Sequence, residues 1–237
     1  MTTEKKDYPV FSYDTHARKC APDDFLGQVR RTVNGAPVSD DQIAMILAAI
    51  NAGLALRPDD VVLELACGNG ALSHTMFDNC KGYLGTDVSD YLISVARRHF
   101  ERLPDYRFDV RDGLTCLQKE PRPEHFTKAL CYAGFQYFTA TEATEMLSLL
   151  AGRFTRLQRV FIGNMPDRDK AANFYLNRTP SKEELADCST AIGIWRTKLE
   201  FEALARAAGW DTILWVMPAA FQSSYYRFDA VLTRPAF

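Results

Sequence analysis

No CxxC pair, no HxH or HExxH and no cluster of cysteine with histidine occurs in this chain, so the spacings that build structural zinc and zinc-hydrolase sites are missing. No metal is expected. The six cysteines, Cys20, Cys67, Cys80, Cys116, Cys131 and Cys188, are scattered, which argues against a disulfide framework and for reduced thiols. No apolar run approaches the roughly 18 residues that span a bilayer, and the polar start MTTEKKDYPVF lacks the apolar stretch of a secretory leader. A soluble cytoplasmic protein is expected, with no membrane partner. Excess charge of either sign is also absent, because 28 basic and 30 acidic residues leave a net charge of -2. That balance offers nothing to a phosphate backbone, and a small-molecule ligand is expected rather than nucleic acid. Repeats, low-complexity segments and Gly/Ser linkers are missing too, so 237 residues with 47% hydrophobic content read as one domain carrying insertions. The sequence carries no signal for the oligomeric state.

What is present is alternation. Residues 40–54 place Ile43, Ile46, Leu47, Ile50 and Leu54 along one helical stripe behind Ser39 as N-cap. The run 61–65 is a short apolar strand buried on both faces, and a helix is expected over 69–79. Strands at 83–86, 106–110, 126–132 and 159–163 follow, the first closing on Asp87 ahead of a helix capped by Ser89, with RDG at 111–113 read as a turn. Helices are expected at 142–156 and 198–208, the second ending at Gly209, and two final strands at 210–217 and 226–233 have no helix between them. This pattern predicts an α/β protein with a doubly wound, mostly parallel seven-stranded sheet and an antiparallel hairpin at its C-terminal end. Two parts stand outside: residues 1–40, turn-rich with Tyr8, Phe11, Tyr13 and Phe25, and residues 164–197, a long connection with short helical patterns. Both are expected to act as lids, the second over an acceptor pocket.

Ligands of such sheets bind beyond the carboxyl ends of the strands. The stretch VLELACGNGALSH (62–74) lies there, with Glu64 bringing a negative charge while Gly68 and Gly70 bring bare backbone. A carboxylate in the turn would repel a pyrophosphate, and the third glycine of GxGxxG is missing. A zwitterion with an ammonium group would be tolerated.

ELACGNGAL resembles motif I of the class I S-adenosylmethionine-dependent methyltransferases, an acidic residue followed by xGxGxG, with Ala66 where the first glycine usually stands. In GTDVSDYLISVAR, Asp87 is similar to the family's ribose-binding acid, and in YRFDVRDGL, Asp112 is similar to its adenine-side acid with Gly113 or Leu114 beside the base. Cys131-Tyr132 matches motif IV by position, without that motif's acidic or amide residue. The resemblance covers roughly residues 45–163. It implies S-adenosyl-L-methionine as cofactor and a Rossmann-like methyltransferase fold. It also implies a binding set of Glu64, Ala66, Gly68, Asn69, Gly70, Asp87, Val88, Asp112, Gly113, Cys131 and Tyr132, joined by Arg31 of GQVRRTVNG at the cofactor carboxylate.

Methyl transfer from a sulfonium needs alignment and exclusion of water more than acid or base, although a hydroxyl acceptor gains from a base beside it. Asp167, in GNMPDRDK after the fifth strand, and His16, in the N-terminal lid, are the expected bases. The aromatic stretches FQYF (135–138) and FQSSYY (221–226) are expected to line the acceptor pocket. These features make O-methylation of a sugar, polysaccharide precursor or secondary metabolite the leading expectation. N- or C-methylation of a small metabolite, an NAD-dependent oxidoreductase and a cofactor-binding regulator without turnover stand as alternatives. A nucleic-acid methyltransferase is disfavoured by the lack of an Asn/Asp-Pro-Pro-aromatic signature on the fourth strand.

Overall fold

The computed structural model of the chain describes residues 10–33 and 36–235, so Tyr8 and the Phe11 side chain of the expected lid fall outside what is described. The element order begins with α1 (Val10–Ala17), α2 (Phe25–Gln28), a two-residue antiparallel ladder of β1 (Thr32–Val33) with β2 (Ala36–Pro37), and α3 (Asp40–Leu54). The core sheet follows as β3 (Val61–Leu65), β4 (Gly82–Asp87), β5 (Tyr106–Val110), β6 (Lys128–Tyr132), β7 (Arg159–Pro166), β8 (Asp211–Trp215) and β9 (Arg227–Thr233). Its order is β5-β4-β3-β6-β7-β9-β8, parallel from β5 through β7 and antiparallel where β9 meets β7 and β8. This is the expected seven-stranded Rossmann-like sheet with its antiparallel end. The strand order reverses between β3 and β6, the place where such sheets open a ligand crevice.

Side-chain alternation on β3 sets both faces. Val61, Leu63 and Leu65 join a core with α6 (Ala140–Gly152) and α9 (Lys198–Ala207), while Val62 joins a second core with α3 and α4 (Asp90–His99). On α6 the spacing of Ala143, Met146, Leu147 and Leu150 puts four buried residues on one face. Each large one contributes about 2 kcal/mol of transfer free energy. The Ser89 hydroxyl accepts from Leu92 N as expected, whereas Ser39 stands at the N-cap of α3 without a side-chain bond; Thr139 with Glu142 and Thr197 with Glu200 form reciprocal capping boxes not expected from the sequence. Gly209 ends α9 with φ 86°.

Four expectations are corrected. Residues 69–79 form no α-helix but a 3-10 turn at Ser73–Asn79, because Gly70 adopts φ 75° and interrupts the run. The RDG turn instead opens α5 (Gly113–Lys119), whose first N–H groups find Asp112 as cap. The turn-rich N-terminus holds the helix α1. The fifth strand extends three residues further, kinked where its register against β9 shifts between Ile162 and Met165. The connection after it carries α7 (Ala171–Phe174) and α8 (Lys182–Leu185), at the two short helical patterns. Among the described residues, no helix is long and apolar enough to cross a membrane.

Candidate active site

The crevice is built from backbone held in an unusual state. After β3 and β6 the chain turns at Ala66 (φ 57°) and Ala133 (φ 58°), and β7 kinks at Asn164 (φ 63°). Left-handed backbone at a residue other than glycine costs about 1 kcal/mol or more. Three such residues at the same end of adjacent strands open the carboxyl edge of the sheet. Gly134 completes the gap, since a Cβ there would stand 2.5 Å from the Ala66 Cβ.

Two lobes of one cleft meet at Ala66, Asp87, Val88, Gly134 and Tyr137. In the first, Glu64 projects from β3 on the Val62 face and is 4% exposed. Ser73 Oγ and Tyr83 Oη both donate to its Oε2, the second at 2.5 Å. Burial pushes its carboxyl up to about 7, and the nearby Asp87 acts in the same direction while the two hydroxyls and Arg31 oppose it. Asp87, at the end of β4, accepts from Gly68 N through Oδ2 and from Ser89 N through Oδ1, each at 2.9 Å. Burial raises its carboxyl as well, against those backbone donors. One bond per oxygen leaves acceptor capacity on both, the requirement for receiving a pair of vicinal hydroxyls.

The second lobe is bounded by Val88, Asp112, Gly113 and Phe138. Asp112 is exposed, and its Oδ1 caps α5 through Thr115 N at 2.9 Å. Its other oxygen has no such bond among the described residues. Tyr132 and Arg31 line the first lobe, with the guanidinium 5.0 Å from the ring centre.

Not every expected residue reaches the cleft. Asn69 lines it, yet its side chain ties the turn to the N-terminal segment by donating to Phe25 O and Gln28 Oε1. Gly70 is buried away from it, where a Cβ would press on Phe108 at 2.8 Å. Cys131 is 0% exposed in the core under α6, and burial holds its thiol protonated.

Both expected bases are placed elsewhere. Asp167 is buried past the kink, accepts from Asp169 N and sits 3.9 Å from Lys198 Nζ, outside all three cavities described here. It acts as a cap. The His16 Nε2 lies 2.9 Å from Gly27 O and joins α1 to α2, also outside them. His74 stacks on Phe100 with ring centres 4.3 Å apart.

Beyond the first lobe lies a chamber of about 290 Å³, sharing Tyr13, Val29, Arg31, Ala133 and Tyr137 with it. Its walls come from the N-terminal segment, the 164–197 connection and the segment between β8 and β9, as Arg30, Ile192 and Phe221 illustrate, with Arg227 added from the start of β9. Both aromatic stretches contribute, through Gln136 and Tyr137 of the first and Phe221, Gln222, Ser223 and Tyr226 of the second, whereas Phe135 is core. Tyr137 lines all three cavities, and its hydroxyl lies 2.8 Å from Ala191 O and 3.1 Å from the Tyr13 hydroxyl.

The residues present suit an adenosyl amino acid. Two acids stand at the ends of β3 and β4, the approach at Gly68 is bare, where a Cβ would meet Val29 at 2.9 Å, and the buried Arg31 Nε has no partner among the described residues. Residues 62–153 match the family model for a methyltransferase domain. The whole fold is similar to a chain of the complex between the Haloferax volcanii Trm112 methyltransferase activator and its methyltransferase (15% identity, 94% of this chain and 98% of that one, TM-score 0.64). It is also similar to magnesium protoporphyrin IX methyltransferase from Synechocystis, solved with bound S-adenosylmethionine (14%, 95% and 91%, TM-score 0.57). A third similarity is to an S-adenosylmethionine-dependent methyltransferase from Clostridium acetobutylicum (12%, 84% and 93%, TM-score 0.61). No curated protein sequence matches the chain.

Proposed function

We propose that the chain, whose residues 62–153 match a methyltransferase domain, is a class I S-adenosylmethionine-dependent methyltransferase and that it methylates a small molecule, at an oxygen, inside the chamber beside the cleft. The observation that carries this reading is the chamber itself. Its volume and its walls, drawn from three separate segments, suit a compact ligand rather than a polymer. The N-terminal segment and residues 164–197 act as its lids, joined through the Tyr13, Tyr137 and Ala191 contacts.

When bound, the cofactor supplies a methyl group on a sulfonium that departs as a neutral thioether. The protein's own share is placement. Glu64 and Arg31 hold the amino-acid end, the Asp87 oxygens take the ribose hydroxyls, and Asp112 with Gly113 faces the adenine. The lids keep water from the acceptor. No aspartate, glutamate, histidine, lysine or cysteine lines the chamber among the described residues. An oxygen that arrives already ionised therefore suits it better than a plain sugar hydroxyl. Methylation of a neutral amine is the second reading, favoured by the unpartnered amide oxygens of Gln136 and Asn164 in the same wall. All six thiols are free, which supports a cytoplasmic setting.

Labelled-methyl transfer over a panel of small acids, phenols, amines and sugars, with products resolved by mass spectrometry, tests the reading. Transfer to a small acid or phenol is the expected result. Transfer only to RNA or DNA, or tighter calorimetric binding of NADH than of S-adenosylhomocysteine, would overturn it. Tyr137→Phe removes the bonds of its hydroxyl to Ala191 O and to the Tyr13 hydroxyl, together worth about 1 kcal/mol or more. We expect the KM for the acceptor to rise about fivefold with S-adenosylhomocysteine affinity unchanged. Parallel loss of both would place Tyr137 in the cofactor site instead.

A further inference from the structure

Six buried side-chain polar atoms lack a partner among the described residues, and four of them line the chamber: Arg31 Nε, Gln136 Oε1, Asn164 Oδ1 and Arg227 Nε. Unpaired buried polar groups are costly, and their gathering in one cavity marks a place that a ligand completes. Gln136, Asn164 and Arg227 are 3%, 7% and 7% exposed. The Gln136 amide is oriented by its Nε2, which donates to Ala133 O at 2.9 Å, so its oxygen is the atom left over.

Arg227 carries the argument. Its Nη1 donates to Asn164 O and its guanidinium stands 4.8 Å from the Tyr226 ring centre, yet it forms no ion pair among the described residues. Asp229, the acid one strand-pleat away, accepts from Asn164 N at 2.7 Å and does not line the chamber. A buried guanidinium keeps its charge, and a charge out of water needs a counterion. Arg30 and Arg31 share the chamber, and among the described residues no carboxylate does. The wall therefore has one sign.

We propose, resting on the reading of the site given above, that the acceptor is a small organic oxyanion, a carboxylate or a phosphate monoester. Arg227 grips its charged end, the planar fork of the guanidinium matching two oxygens at once, while the acceptor's N–H or O–H groups meet Gln136 Oε1 and Asn164 Oδ1.

The test is calorimetry on the full chain loaded with S-adenosylhomocysteine, titrated with benzoate, phenyl phosphate and benzamide. Benzoate or phenyl phosphate should bind at least about tenfold more tightly than benzamide, and which of them binds identifies the oxyanion. Arg227→Gln should erase that preference, and Arg227→Lys should retain part of it. S-Adenosylhomocysteine affinity should stay within about twofold in both. Should the glutamine variant not fold, Asn164→Asp, nearly isosteric and compatible with φ 63°, places a carboxylate against the anion and should erase the preference equally. Equal binding of all three probes, or a preference that survives in Arg227→Gln and Asn164→Asp, overturns the proposal. Failure of wild type to bind S-adenosylhomocysteine would instead sink the methyltransferase reading beneath it.

Discussion

Asp87→Ala is expected to lower affinity for S-adenosylhomocysteine by about 100-fold or more, because hydrogen bonds to a charged group are worth roughly 1.5 to 3 kcal/mol each and two are lost at the ribose. The same carboxylate also organises the turn. Without it, Gly68 N and Ser89 N lose the acceptors that now hold them at 2.9 Å, so the approach to the cofactor loosens as well. Asp87→Asn is the informative companion, since its amide must point a donor at one of those N–H groups. An intermediate loss is expected there. Calorimetry, with melting curves to show that both variants fold, decides the matter; affinity within threefold of wild type in Asp87→Ala would remove the residue from the ribose position.

The second large effect is a pH dependence centred on Glu64. Its carboxyl is raised from 4.5 to about 7 by burial on β3, with Asp87 adding to the rise and Ser73, Tyr83 and Arg31 opposing it. Because the folded value lies above the unfolded one, the linked stability is fully present below about 4.5 and is lost as pH rises through about 7. The amount is about 3 kcal/mol. Asp229, raised to about 6, adds a loss of the same sign at lower pH. An ammonium group in the first lobe reverses the preference for the proton, so cofactor affinity should climb with pH and level off above about 7. Glu64→Gln keeps acceptors for Ser73 and Tyr83 but cannot titrate. At pH 8 the unliganded variant should melt several degrees higher than wild type, and its weakened S-adenosylhomocysteine affinity should be flat with pH. Identical pH profiles for the two proteins would mean that Glu64 does not face the ammonium.

The elements read most directly from sequence are those fenced by turn residues, whether buried on both faces like β3 or only in part like β5. The run at Val61–Leu65 and the segment Tyr106–Val110 have the expected bounds because turn residues fence them in. The helix α5 escaped notice since GLTCLQK begins on a glycine and is only seven residues long, so its start depends on the Asp112 cap. Asp87 lines the cleft as expected because it is the last residue of β4, and Asp112 because it sits between the end of β5 and the start of α5. Asp167 misled for the opposite reason: the kink at Asn164 redirects the chain before it arrives. Arg227 could not be found by pattern at all. It opens β9 in a strand buried along nearly its whole length, and only the antiparallel pairing of Pro166 with Arg227 brings it beside the carboxyl end of β7. Asn164 left a fainter trace, being among the few side chains that tolerate a positive φ.

The left-handed turns at Ala66, Ala133 and Asn164 have one more consequence, for laboratory evolution. Selection of this enzyme for heat resistance alone would find early gains by relaxing those three hinges of the crevice. Survivors of such a screen would carry the relaxed backbone with slackened turnover, so durability and speed would have to be selected together.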